Sequence, residues 1–86
     1  MTLDQFKEEL VKLGYKLTHD YCAGSHWYTA LHNRKRNVRI QQWDTYTNVF
    51  YERNTANGDY EYNQHQVTDF KKALSNILKF ERKIKS

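Results

Sequence analysis

The chain has 86 residues, the length of one domain, so residues 1–86 are predicted to fold as a single domain. Its mean hydropathy is −1.01, and no apolar run approaches the roughly 20 residues of a membrane-spanning helix, which excludes a membrane protein. The net charge is +4, and the single cysteine, Cys22, excludes a disulfide framework and favours a reducing compartment. Residues 1–6 lack the basic and apolar regions of a secretory leader, so we expect a cytoplasmic protein.

Apolar residues at spacings of three and four predict a first helix over residues 3–13. Thr2 or Asp4 is available as its N-cap, and Gly14 follows as the residue that ends it. A second apolar stripe predicts a long closing helix with Thr68 as its N-cap. The stripe consists of Phe70, Ala73, Leu74, Ile77, Phe80 and Ile84.

Between the helices, the pattern of apolar and polar residues predicts strands over residues 15–21, 26–32, 38–43 and 48–53. The dipeptide Asn57-Gly58 is a strong hairpin signal, and the alternating Tyr60 and Tyr62 beyond it indicate a short fifth strand. The predicted fold class is α+β. An N-terminal helix precedes an antiparallel meander sheet of four to five strands, and the long C-terminal helix packs on the sheet, with both helices on one face.

The segment from His19 to His26 contains an H-x2-C-x3-H pattern with Cys22 at its centre. Imidazole and thiolate are ligands that Zn²⁺ prefers, and a loop between two strands can bring such residues together. His32 lies about 20 Å from His26 along a regular strand at about 3.3 Å per residue, so it is not expected to share the ion. The candidate metal ligands are therefore His19, Cys22 and His26, with His65, Asp20 or a water as the fourth ligand.

A second interpretation uses the same stretch. Residues 5–42 contain the run Leu10–Leu17, the tripeptide Gly24-Ser25-His26 and a basic turn before Val38-Arg39-Ile40. In these features the chain resembles HicA-type toxins. That resemblance implies a small RNA-cleaving protein with a fold like a double-stranded-RNA-binding domain, in which His26 is catalytic. It ends after residue 42, where this chain adds a fourth strand and a long final helix. No phosphate-binding glycine loop, G-x-S-x-G or HExxH motif indicates another enzyme.

The middle of the chain also suggests a surface for a macromolecular partner. Positive charge is concentrated in residues 34–39 and 71–86, which is typical of a nucleic-acid or nucleoprotein partner. Tyrosine, tryptophan and arginine are interleaved with asparagine between these segments, and these residue types dominate binding hot spots. The predicted partner-binding residues are Arg34, Lys35, Arg36, Arg39, Trp43, Tyr51 and Tyr60.

These features favour a non-enzymatic binding protein over an enzyme. In size and composition the chain is similar to small phage and mobile-element inhibitors, among them anti-CRISPR proteins. That similarity implies an inhibitor that binds a host CRISPR effector nuclease, or another ribonucleoprotein, and blocks its nucleic-acid loading. The H-x2-C-x3-H pattern adds the expectation that zinc stabilises it. The alternative is an RNA-binding or RNA-cleaving module of the HicA type. A DNA-binding regulator is disfavoured because no helix-turn-helix pattern is visible.

Overall fold

The computed structural model of the chain describes residues 1–84. Its elements are, in chain order, α1 (Leu3–Lys12), β1 (Lys16–Cys22), β2 (Ser25–His32), β3 (Arg36–Gln42), β4 (Thr47–Thr55), β5 (Gly58–Gln64) and α2 (Phe70–Lys83). The strands form one antiparallel sheet in which each strand pairs with its neighbours in sequence. The predicted α+β fold is confirmed, and its fifth strand is a full one. Neither helix in this described part of the chain is long and apolar enough to cross a membrane.

Helix α1 begins at a reciprocal pair of hydrogen bonds. The Gln5 amide donates to the Thr2 hydroxyl at 3.1 Å, and the Thr2 amide donates to the Gln5 side chain at 2.8 Å. This capping box satisfies two backbone donors that a helix start leaves free, so Thr2 rather than Asp4 is the cap. The helix ends as predicted at Gly14, where φ is +97° and a Cβ would lie 3.0 Å from Nε2 of His32. Both the backbone conformation and the available space favour glycine there.

The predicted cap of α2 was wrong by one residue. Asp69 is the N-cap, and its carboxylate accepts the amide N–H of Lys72 at 3.0 Å. Thr68 lies one position too early to reach the amides of the first turn. A carboxylate also interacts favourably with the positive end of the helix dipole, which gives aspartate an advantage over threonine in this place.

Both helices pack on the same face of the sheet, and the hydrophobic core lies between these two layers. Phe6 and Leu10 of α1 are fully buried, and Ile77 of α2 is 2% exposed. From the sheet, the buried residues are Ala30, Val38, Ile40, Val49 and Tyr51. Successive side chains of a strand point to opposite faces, so the intervening residues form a second face that no helix covers. We call this second face the open face.

A polar cluster closes one end of the core. Arg36 of β3 and Arg53 of β4 both form ion pairs with Glu81 of α2, which connects the sheet to the last helix. The hydroxyls of Tyr15 and Tyr51 are buried nearby without a hydrogen-bond partner among residues 1–84. Burial raises the pKa of Tyr15 to about 12, and it raises the pKa of Tyr51 as well.

This burial makes the protein sensitive to alkaline pH. The phenol of Tyr15 has a pKa of about 12 in the folded protein against 10.0 for a free tyrosine, so folding favours the neutral phenol. The resulting stability is complete below pH 10 and is lost as the pH rises through about 12. We expect Tyr15→Phe, which has no proton to lose, to move the midpoint of alkaline unfolding upward when it is followed by circular dichroism.

Tyr21 provides the matched control, because its side chain is 66% exposed. Tyr21→Phe should leave the alkaline midpoint where it is in the wild-type chain. If the two variants unfold at the same pH, burial of the Tyr15 phenol does not limit alkaline stability.

Candidate functional site

The open face carries a line of aromatic rings across its centre. Trp27 of β2 stacks on Phe50 of β4, with ring centroids 6.0 Å apart and an angle of 25° between the rings. His65, which follows β5, meets Phe50 edge-on at 5.9 Å. The guanidinium of Arg39 lies 5.8 Å from the centroid of the Trp27 ring, within range of a cation–π interaction. These residues come from three strands and one loop and form a continuous, partly exposed surface.

A shallow groove of about 480 Å³ runs beside this aromatic line. Its lining consists of Asp20, Tyr21, Cys22, Trp27, Thr29 and Arg39. The thiol of Cys22 is free and exposed. Leu31, farther along β2, is 49% exposed and lies on the same face by strand alternation. The open face thus carries a small apolar centre within a largely polar surface.

Charge is divided between the two sides of the sheet. Strand alternation places four acidic and two basic side chains on the open face. The acidic ones are Asp20, Glu52, Asp59 and Glu61, and the basic ones are Lys16 and Arg39. Arg39 is in addition paired with Glu52 at 3.0 Å. The exposed basic residues of α2 lie on the other side of the molecule, namely Lys71, Lys72, Lys79, Arg82 and Lys83. The open face is therefore acidic although the chain as a whole is basic.

The predicted partner-binding residues do not share one surface. Arg34 and Lys35 are exposed in the turn between β2 and β3, and Arg39 is exposed on the open face. Arg36 is turned toward Glu81 and is partly buried. Tyr51 is 0% exposed and belongs to the core, which corrects its assignment as a contact residue.

The two remaining aromatic residues of that predicted set lie elsewhere. Tyr60 is half-buried and packs against the core from β5. Trp43 is half-buried in the loop after β3, where its ring lies 6.2 Å from Tyr46 and beside Gly24. The two large aromatic residues at the centre of the open face are Trp27 and Phe50, and the predicted partner-binding set contains neither of them. Phe50 is a clear omission. Its position between the inward-facing Val49 and Tyr51 was the signal that could have identified it.

The four predicted zinc ligands are not brought together in the structure. Cys22 is the last residue of β1 and follows His19 by three residues, an odd number of steps along the strand. The two side chains therefore point to opposite faces of the sheet. His65 lies against Phe50 on the open face. Within residues 1–84 no group of three or more His, Cys, Asp or Glu side chains is placed to hold a metal ion.

Two of the four predicted zinc ligands, His19 and His26, do meet on the helix-covered side of the sheet. Nε2 of His19 and Nδ1 of His26 are 2.9 Å apart, and one ring donates a hydrogen bond to the other. His19 also stacks on Tyr28, with centroids 4.6 Å apart and an angle of 13°. Tyr21 packs edge-on against His26 at 4.9 Å. We call His19 and His26 the histidine pair.

Comparison of the chain with protein-family models, with curated proteins and with solved structures found no match in any of the three.

The exposed thiol offers a direct check of the face on which β1 places each side chain. We expect Cys22 to react with Ellman's reagent in the native protein at a rate close to that in the unfolded chain, since its side chain is exposed. One equivalent of Zn²⁺ should leave this rate unchanged, because the histidine pair lies on the other side of the sheet. Strong protection by Zn²⁺ would instead show that the thiolate binds the ion, as the sequence pattern predicts.

Proposed function

We propose that this chain is a non-enzymatic binding protein that docks its open face on a basic, nucleic-acid-binding surface of a nuclease. The observation that carries the proposal is an uncovered sheet face that is both aromatic and acidic. A protein that occupies the nucleic-acid-binding surface of a nuclease competes there with the guide or target nucleic acid. The specific partner that we propose is a CRISPR effector nuclease, the class that the size and composition of the chain suggest.

The aromatic residues support a protein partner through the area that they offer. Trp27 and Phe50 are large, semi-rigid side chains at the centre of the face, stacked on each other and not covered by any helix. Such residues dominate the free energy of binding when a partner excludes water from around them. Arg39 lies beside Trp27 and adds a donor whose position is held by Glu52. The surrounding threonines and asparagines can serve as a polar rim.

The charge of the open face supports the choice of surface on the partner. Asp20 and Glu61 are exposed there, and neither is part of an ion pair within residues 1–84. An acidic excess repels phosphate, so this face is unsuited to bare nucleic acid. It is complementary to the lysine- and arginine-rich channel in which a nuclease holds its nucleic acid.

The test is inhibition of a panel of purified, guide-loaded CRISPR effector nucleases, with cleavage of target DNA as the readout. We expect the wild-type chain to inhibit at least one member. Trp27→Ala should raise the inhibitory concentration by about 30-fold, the effect of losing a hot-spot residue worth about 2 kcal/mol. The double variant Asp20→Lys, Glu61→Lys should slow association and weaken the salt dependence of inhibition.

Controls come from exposed residues away from the open face. Val11→Ala shortens an exposed apolar side chain of α1, and Lys71→Glu with Lys79→Glu reverses charge on the outer surface of α2. Both should inhibit as the wild-type chain does. If the controls lose inhibition while Trp27→Ala retains it, the partner binds elsewhere. A chain that inhibits no effector and shifts bare RNA with steep salt dependence would contradict the proposal.

RNA cleavage is the second candidate, and one observation favours it. The HicA resemblance provides His26 as the catalytic residue, but general acid–base chemistry on RNA is more effective with a second proton-transfer group. His19 lies within hydrogen-bond distance of His26 on the neighbouring strand. The exposed lysines of α2, on the helix-covered side, would supply phosphate-binding charge, whereas the turn at Arg34 and Lys35 lies at the far end of β2 from His26.

We expect the purified chain to leave total RNA intact, because the two histidine rings are occupied with each other and the chain's aromatic binding surface lies on the opposite face. The assay compares wild type, His19→Ala, His26→Ala and, as the matched control, His65→Ala. Wild-type cleavage that both variants of the histidine pair abolish and that His65→Ala retains would favour the ribonuclease over the inhibitor.

A further inference from the structure

We propose that the histidine pair is a metal site that takes one divalent first-row transition ion per chain, such as Zn²⁺ or Ni²⁺. The remaining coordination positions of that ion are open to water. This site differs from the four-ligand set expected from the H-x2-C-x3-H pattern, because it uses neither Cys22 nor His65. It lies on the opposite side of the sheet from the open face, so it does not depend on the proposed inhibitor function.

The separation of the two nitrogens matches two adjacent positions in a coordination shell. Metal–imidazole bonds are about 2.0–2.1 Å long, so two such bonds at a right angle place their nitrogens about 2.9 Å apart, and a tetrahedral angle places them about 3.4 Å apart. Nε2 of His19 and Nδ1 of His26 are 2.9 Å apart. The two nitrogens face each other almost head-on, since the ring centroids are 5.1 Å apart. Each ring therefore has to turn by roughly 45° before both lone pairs meet on one ion at a right angle.

The strands hold the two rings in place before any ion binds. His19 lies directly opposite Tyr28, and His26 lies directly opposite Tyr21, so the two histidines are diagonal neighbours on paired strands. The Tyr28 ring stacks against His19, and the Tyr21 ring packs against the edge of His26. Strand pairing thus keeps the two side chains side by side, so they lose less conformational entropy on binding than two unconnected histidines would, which favours the metal complex.

The chemistry of the donors selects the class of ion. Two imidazoles suit Zn²⁺, Ni²⁺ and Cu²⁺, and they are poor ligands for Mg²⁺ or Ca²⁺, which prefer oxygen. Metal binding requires a lone pair on both facing nitrogens. The ring that now donates the hydrogen bond must therefore move its proton to its other nitrogen, by exchange with solvent. The cation on the neighbouring Tyr28 ring is Lys7, with Nζ 4.0 Å from the ring centroid, and Asp4 balances its charge at 3.1 Å.

The site is exposed enough for an ion to enter and leave. His19 is exposed and His26 is half-buried, whereas the sites that hold structural zinc are closed by four protein ligands. An ion held by two imidazoles exchanges with solvent and keeps open positions for another ligand. The site is thus suited to reversible binding and not to the permanent stabilisation of the core.

The test is a titration of the metal-free protein with ZnCl2, in which isothermal titration calorimetry measures the binding. We expect one ion per chain. His19→Ala and His26→Ala should each weaken Zn²⁺ binding at least about tenfold, because each removes one of two protein ligands. Cys22→Ser and His65→Ala, the matched controls, should bind Zn²⁺ within about twofold of the wild-type chain.

A second measurement guards against variants that fail to fold. In the wild-type chain, the imidazole NMR signals of His19 and His26 should shift on addition of Zn²⁺, while those of His32 and His65 stay in place. The proposal is overturned if the wild-type chain binds no Zn²⁺, if the signals of the histidine pair do not move, or if Cys22→Ser weakens binding as much as His19→Ala does.

Discussion

Side chains of a strand point alternately to the two faces of a sheet, and in this protein helices cover one face and leave the other bare. Every residue of the five strands is therefore assigned either to the core side or to the open face by its position alone. Val38 and Ile40 lie under the helices, and Arg39 between them lies on the open face. The same rule separates the basic side of the molecule from the acidic, aromatic side.

Much of the fold follows from local patterns that this alternation leaves in the chain. The stripe of α1, the turn signals around Gly24 and the hairpin at Gly58 predicted the elements and their antiparallel order, because each depends only on neighbouring residues. Boundaries were less accurate. The cap of α2 is Asp69 and not Thr68, since both residues have suitable side chains and only the path of the backbone decides between them.

The candidate sites were harder to predict because they depend on where a strand stops. The zinc hypothesis treats Cys22 as a loop residue, free to turn toward the histidines. In the structure β1 continues through Cys22, which pairs with Ser25, and the turn consists of Ala23 and Gly24 alone. One further residue of strand thus moves the thiol to the opposite face. Tyr51 is a similar case, because composition marked it as a hot-spot residue and only the packing of the helices shows that it is buried.

The order of the strands also determines how this chain can fold. Each strand pairs with the strand beside it in sequence, so the sheet can grow hairpin by hairpin and each closure spans only a short loop. Topologies dominated by such local pairs fold faster than those that join distant segments. The contacts of longest range are those of the two helices, which come from opposite ends of the chain and meet over the finished sheet. Because α2 is the last element of the chain, the core is complete only once this helix has docked, and Glu81 secures it there between Arg36 and Arg53.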